Sequence, residues 1–387
     1  MLKIRRETEL KETDIGEIPD DWEVRRLGDI LEIKYGKGLT EKDRKSGGVP
    51  VFGSSGVVGY HVKALSKGPG LVIGRKGNIG SVYLSKSDFF PIDTVFYSEN
   101  IKNAGFLYYM LTKINLEQLM SDSAVPGLNI HFLESVRIPY PQLHEQSRIA
   151  TVLSWFDDFI ETKKKQNEIL KKTAMAIFKR WFIDFEPFSD NEFVDSALGK
   201  MPKSWEIGKL SDVCEIIMGQ SPPSEYYNRE GEGSAFIQGK GQFGRYTPNT
   251  DVFCSGTGKR AKPRDILLTV RAPIGELNIA DAEYIIGRGL ASLRSETWVF
   301  VYLYLLSNKE LLKASERGTT FDAIIKPELE SFPLVKPPQD VLEKFKAITE
   351  PLFSKILLNQ KQIWVLSKVR DVLLPLLVFG KLRVEEI

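Results

Sequence analysis

The chain has 387 residues, 42% of them apolar, with 53 Lys and Arg against 51 Asp and Glu, a net charge of +2. That balance excludes a histone-like binder that grips nucleic acid by total charge, while leaving room for clustered basic faces. The apolar content excludes global disorder, and two Cys with three His leave a thiolate–imidazole zinc site barely enough ligands.

Residues 1–14 read as an N-terminal extension with no apolar signal core. No stretch approaches the roughly 20 apolar residues that span a bilayer, so a cytoplasmic protein without membrane contact is expected. The scarce cysteines, Cys214 and Cys254, fit a reducing compartment.

Residues 15–38, IGEIPDDWEVRRLGDILEIKYGKG, open the first predicted domain, 15–142. They return at 198–221 as LGKMPKSWEIGKLSDVCEIIMGQS, with nine of 24 positions identical. The shared residues include Gly16/Gly199, Trp22/Trp205, Leu27/Leu210 and Gly36/Gly219. A chain with an internal repeat is a chain of related structural units. Each opening segment reads as a short helix running into a strand (Leu27–Ile33, Leu210–Ile217). A β-rich run, Gly70–Leu84, and a helix, Gly105–Met120, follow in the first copy. Its glycine-rich loops hold polar and basic side chains: Lys37, Ser54, Ser55, His61, Lys63, Arg75, Lys76 and Asn78.

Pro139-Tyr140-Pro141 ends the extended region, and a long helix is predicted over 143–185. One heptad position holds Ile149, Phe156, Lys163, Leu170 and Ile177; another holds Leu153, Ile160, Asn167, Ala174 and Trp181. The face between Glu161 and Arg180 carries seven Lys and Arg against two Glu. Such a run suits a solvated face, or a helix that follows a phosphate backbone.

The second predicted domain, 186–338, repeats the plan at an offset that grows from 183 to 196. About thirteen extra residues therefore lie somewhere in 222–262, a Gly-, Pro- and Tyr-rich segment that reads as elongated loops. β-rich runs at Asp265–Ala280 and Tyr284–Leu293 and a helix at Trp298–Leu312 complete it. Its loop set differs from the first: Gln220, Gln238, Lys240, Gln242, Arg245, Tyr246, Lys259, Arg260 and Arg271. A second long helix, 339–380, precedes a tail at 381–387. Its seam holds Leu352, Ile356, Asn359, Leu366 and Leu373, with Asn359 in the same repeat layer as Lys163. Phe156, Ile160, Lys163, Leu170 and Ile177 are the expected partners on the first helix. A sustained heptad seam signals a coiled coil; the alternative is two amphipathic helices, each packed on its own domain. The fold class is α+β, two globular domains and two long helices.

The search for catalysis fails. There is no phosphate loop, no G-x-S-x-G elbow, and Gly74, Gly77 and Gly80 do not follow the dinucleotide spacing. Ser221-Pro222-Pro223-Ser224 lacks the aromatic fourth residue of an amino-methyltransferase strip. A binding surface fits better. Gln and Asn can pair bidentately with adenine and Arg or Lys with guanine, while cations neutralise phosphates. The candidates are Lys37, Ser54, Ser55, Arg75, Lys76 and Asn78 in one copy, and Gln220, Gln238, Lys240, Gln242, Arg245 and Arg271 in the other. A self-contained DNA methyltransferase and a scaffold that reads no DNA are the rival readings.

The duplicated I-G-x-I-P-x-x-W-E-x-x-x-L-x-D opening, Asp265 to Arg271, and Pro141 to Ala150 together resemble the specificity subunit of type I restriction–modification enzymes. The resemblance spans nearly all of 13–380. In the second copy the element before the helix, Leu342 to Ile348, follows the pattern loosely. The resemblance implies two target recognition domains, each reading half of a bipartite double-stranded DNA sequence. It implies two antiparallel helices as a spacer, about 50 Å for about 33 residues. It further implies docked modification subunits, two in number, that carry S-adenosylmethionine, and restriction subunits joined through them. This chain would then hold no cofactor of its own and catalyse nothing.

Overall fold

The structure, a computed structural model, describes residues 3–5, 9–119, 127–314 and 323–386. Two compact units emerge, 1–160 with 365–387, and 161–364. Each holds one globular domain and part of each long helix.

In the first unit a four-stranded sheet runs in the order Lys34–Tyr35, Val95–Ser98, Gly70–Gly74, Val82–Ser85. Gly70–Gly74 is buried at every position, which is why it reads as a continuous apolar run. A hairpin, Val49–Gly53 with Gly56–His61, adds Phe90–Pro91 along its edge. Glu23–Arg26 pairs antiparallel with Arg137–Tyr140, which seats the W-E segment beside the chain that enters the long helix. The helix expected over Gly105–Met120 is Ala104–Leu111, then a 3-10 turn, Leu116–Leu119. At the break Thr112 Oγ1 donates to Tyr109 O at 2.7 Å, a local bond that competes with continued helix.

The second unit repeats the sheet order with Glu215–Met218, Leu290–Arg294, Ile266–Thr269 and Leu277–Ile279, and pairs Glu206–Lys209 with Pro333–Lys336. The segment 222–262, expected as loops, instead contributes Tyr227–Asn228, Ser234–Ile237, Phe253–Cys254 and Arg260–Ala261 to a five-stranded sheet with Tyr284–Ile286. Strands of two to four residues are too short to show alternation in a sequence.

The long helices are Leu143–Phe182 and Gln339–Val378. The second stops before 380 because Gly380, two residues past its end, adopts positive φ, 72°; the first ends at Phe182, and Phe185, with φ of 54°, opens the short turn that follows. In the first unit Ile149, Val152 and Leu153 of one helix and Leu374, Leu377 and Val378 of the other share a core with Trp22, Leu27 and Phe106. Asp157 accepts from Arg370 at 2.5 Å and from Tyr109 at 2.6 Å. Toward the other end Glu145 meets Arg383, so the segments run antiparallel.

In the second unit Phe182 lies 4.8 Å from Phe345, 4.9 Å from Phe300 and 5.8 Å from Trp205, centroid to centroid. Ala174, Phe178, Phe353 and Ile356 are buried in the same core, with Leu170, Ile177 and Leu352 packed against it. The polar layer is not Lys163 with Asn359. Asn359 Nδ2 donates to Asn167 Oδ1 at 2.8 Å, both residues wholly buried, and Lys163 is half-buried. Antiparallel pairing sets the residues of one heptad position against those of the other, so the repeat-equivalent pair never meets. Phe156, Leu366 and Leu373 are half-buried and Ile160 is buried.

The described parts of the predicted extension and tail include paired strands. Lys3–Arg5 pairs antiparallel with Arg383–Glu386, and Leu10–Lys11 with Ile18–Pro19. Backbone groups 380 residues apart in the chain satisfy each other, a long-range event with no local signal.

Candidate nucleic-acid interface

The glycines of the repeat build the same sharp approach twice. A side chain at Gly36 would strike the Ile92 carbonyl, and one at Gly219 the Gly287 carbonyl. Only a residue without Cβ lets the chain pass there. The residue after each glycine is thereby delivered to the rim of its four-stranded sheet: Lys37 N donates to Pro91 O at 3.0 Å, and Gln220 N to Ile286 O at 2.9 Å. Lys37 and Gln220 are both exposed.

Around Lys37 the first domain gathers most of its candidates. Arg75 N donates to Thr94 O at 2.9 Å, beside the segment that holds Lys37. The Arg75 guanidinium lies 5.0 Å from the centre of the Tyr35 ring and 5.8 Å from that of Phe96, which fixes a long cation by its planar face. Ser54 and Ser55 form the turn of the neighbouring hairpin. Ser54 O accepts from Ser81 Oγ at 2.7 Å, and Asn78 Nδ2 donates to Ser55 Oγ at 3.3 Å. Lys76 and Asn78 are exposed at the tip, where Gly77 takes φ of 77°. An open depression of about 670 Å³ runs between Gly77–Ser81 and Thr112–Glu117. Below this rim Lys34, Ser66 and the Lys67 amide hold the Glu99 carboxyl down to about 2, so it stays charged and the cluster stays tied. His61 is not part of the rim: it is buried against Phe90, and its Nδ1 accepts from Lys45 N at 2.9 Å. Lys63 is exposed just past the hairpin.

The second domain gathers Gln220, Gln238 and Arg271 around the turn Gly287-Arg288-Gly289. Gly287 N donates to Ile237 O at 2.8 Å, and Val270 N to Gly289 O at 3.0 Å. Arg288 itself is exposed at the centre, its amide held by Ser221 Oγ at 3.2 Å. Sequence reading missed Arg288; a cation between two glycines beside a buried strand is the signal that could have found it. Lys240 pairs with Glu276 at 3.5 Å. The Gln242 side-chain carbonyl is committed to the Gln238 and Gly239 amides, at 2.8 and 3.3 Å, which leaves only its NH₂ for an outside partner. Arg245 is exposed, and its Nε donates to Glu168 at 2.8 Å. Two residues of the loop set are structural: Tyr246 is buried, and Arg260 is engaged by Ser234 and Glu283 at 2.9 and 2.6 Å. Lys259 is exposed.

Nothing in this arrangement resembles a reaction centre, and among the described residues no group of His, Cys, Asp and Glu could hold a metal ion. Both domains instead present cations and amides on glycine-shaped rims. The type I restriction modification DNA specificity domain matches residues 19–172 and again 202–367. The chain belongs to that family. A type I restriction enzyme specificity subunit of Methanocaldococcus jannaschii (MjaIX) is 35% identical over all of this chain and 99% of its own length. A putative one of the same organism (MjaX) is equally similar over the same shares. The crystal structure of a type I restriction-modification S subunit from M. genitalium shares the fold with a TM-score of 0.68 at 20% identity, over 95% of this chain and 98% of that one. Specificity subunits recognise DNA and are not themselves enzymes. Among the described residues no helix of this specificity subunit is long and apolar enough to cross a membrane.

Proposed function

We propose that the chain reads double-stranded DNA within a type I restriction–modification complex, one half of a bipartite target per globular domain. The observation that carries this is one frame built twice with two different rims, Lys37, Arg75 and Asn78 on one and Gln220, Gln238, Arg271 and Arg288 on the other. Related readers of two different sequences need such a frame. Arg suits guanine O6 and N7, amides suit adenine, and Lys suits phosphate. The long helices serve as spacer and, with the domains, as the docking place for two modification subunits. Those subunits bring S-adenosylmethionine, restriction subunits join through them, and the assembly works in the cytoplasm.

Mapping methylated bases in DNA from cells that carry the chain with its partners tests this. Arg271→Ala should lower discrimination at one half-site by about 1–3 kcal/mol and Arg75→Ala at the other, each sparing its neighbour. Equal loss on specific and non-specific DNA would reduce both residues to phosphate contacts. A methylation pattern unchanged by exchange of residues 200–338 for a related domain would overturn the reading.

A further inference from the structure

The basic face of the first long helix carries two acids: Glu161 pairs within the helix with Lys164, whereas Glu168 is engaged from outside the helix. Glu168 sits among Lys163, Lys164, Lys165, Lys171 and Lys172, where a surface meant only to attract phosphate would have no carboxylate. Its oxygen accepts from Arg245 Nε at 2.8 Å and from the Tyr246 hydroxyl. Lys171, one turn on, stands 5.7 Å from the centre of the Tyr246 ring. Both contacts hold the Glu168 carboxyl below its ordinary range, so it is charged at neutral pH.

Tyr246 is the inner residue of a tight loop. Phe243 bridges to Pro248, Ile279 N donates to Tyr246 O at 2.9 Å, and Asn278 Nδ2 donates to Gly244 O at 2.9 Å. The loop is continuous with the rim, because Asn249 N donates to Gln242 O at 2.8 Å and the Gln242 side chain holds the Gln238 and Gly239 amides. Glu168 is thus linked to Arg245 directly and to Gln242 and Gln238 through two turns of backbone. The repeat-equivalent residue of the second helix is Trp364, which has no carboxylate to offer.

We infer that Glu168 is a positioning residue for DNA reading by the second domain: it fixes the 243–248 loop to the helix and sets the direction of the Arg245 guanidinium. This rests on the DNA-reading function proposed above. A charge-assisted tie of this kind limits where a flexible cation can point, which favours one base edge over a general search for phosphate.

The experiment uses the assembled methyltransferase and duplexes carrying the mapped target, intact or altered at one half-site. Glu168→Ala should reduce discrimination about tenfold at the half-site read by residues 200–338, the scale of one base contact. Discrimination at the other half-site should not change, and binding to non-specific duplex should be unchanged or stronger, since Arg245 is released. Glu168→Gln, which keeps an acceptor for Tyr246 without the charge, should fall between Glu168→Ala and wild type. Arg245→Ala added to Glu168→Ala should change nothing further if the two act as one unit. Unaltered discrimination in both Glu168 variants, additive effects with Arg245→Ala, or equal loss at both half-sites would each overturn the inference. A wild-type complex that discriminates at neither half-site would instead sink the DNA-reading function itself.

Discussion

In the first domain the strand that follows the second long helix, Arg383–Glu386, is held by charge. Arg383 donates to Glu145 and to Asp21, at 2.9 Å for the latter, and its guanidinium lies 5.6 Å from the centre of the Trp22 ring. Trp22 Nε1 completes the cluster with a 3.1 Å bond to Glu145, which is almost fully buried. In the second domain the repeat-equivalent Trp205 is enclosed instead by Phe182, Phe185 and Phe188, at 5.1 to 5.8 Å. The same tryptophan anchors both frames, but one partner set is ionic and the other aromatic. A frame fixed by backbone turns and one large side chain accepts either, because each satisfies or excludes what the indole leaves over. The two clusters should nevertheless fail differently.

The largest difference is expected in the aromatic core. Phe345→Ala removes a fully buried ring and should cost the second unit about 3–5 kcal/mol. Denaturant unfolding with hydrogen exchange should show protection lost in 161–364 first; loss spread evenly over both units would break the contrast. Next comes the ionic cluster. Arg383→Ala strands Glu145 as a buried carboxylate and should cost the first unit about 3 kcal/mol, read as a lower melting temperature. Much of that should return in Arg383→Ala with Glu145→Gln, and failure to return would mean that packing, not charge, holds the strand. Smaller still is the asparagine layer. Asn359→Leu leaves Asn167 buried with a lost partner and should cost about 1–2 kcal/mol. Changing both to Leu should be neutral or stabilising but should loosen helix register, measurable by crosslinking.

The smallest effect is one of pH and belongs to the first unit. Glu99 ordinarily titrates near 4.5 and is held at about 2 in the folded chain, chiefly by Lys34 and Ser66. Its stabilisation is therefore complete above about 4.5 and disappears as pH falls toward 2. Glu99→Gln should flatten the acid limb of unfolding for the first unit over that window and leave the second unit's unchanged.

Much of this was legible in the residues. Gly36 and Gly219 recur because each abuts a carbonyl, and Gly16 and Gly199 because each takes φ of 99°. Trp22 and Trp205 recur as the buried anchors, and the helix seams follow from the heptads. The Ser54, Arg75 and Asn78 rim could be read because glycines flag where a loop must bend. The rest depended on contacts without sequence proximity. Arg288 sits in a turn whose role appears only once Gln220, Gln238 and Arg271 converge on it, and Gln242 looked like a free amide until its loop closed on it.

The sequence by itself determined the repeat, the two α+β domains, the two long helices and which loops carry the polar chemistry, since these rest on local turn geometry and on hydrophobic period. The tertiary structure alone decided who meets whom: Asn359 with Asn167 rather than with Lys163, the first strand with the last, Arg245 with Glu168. Those pairings depend on antiparallel packing and on long-range closure, where energy comes from burying and satisfying groups far apart in the chain and leaves no periodic mark along it.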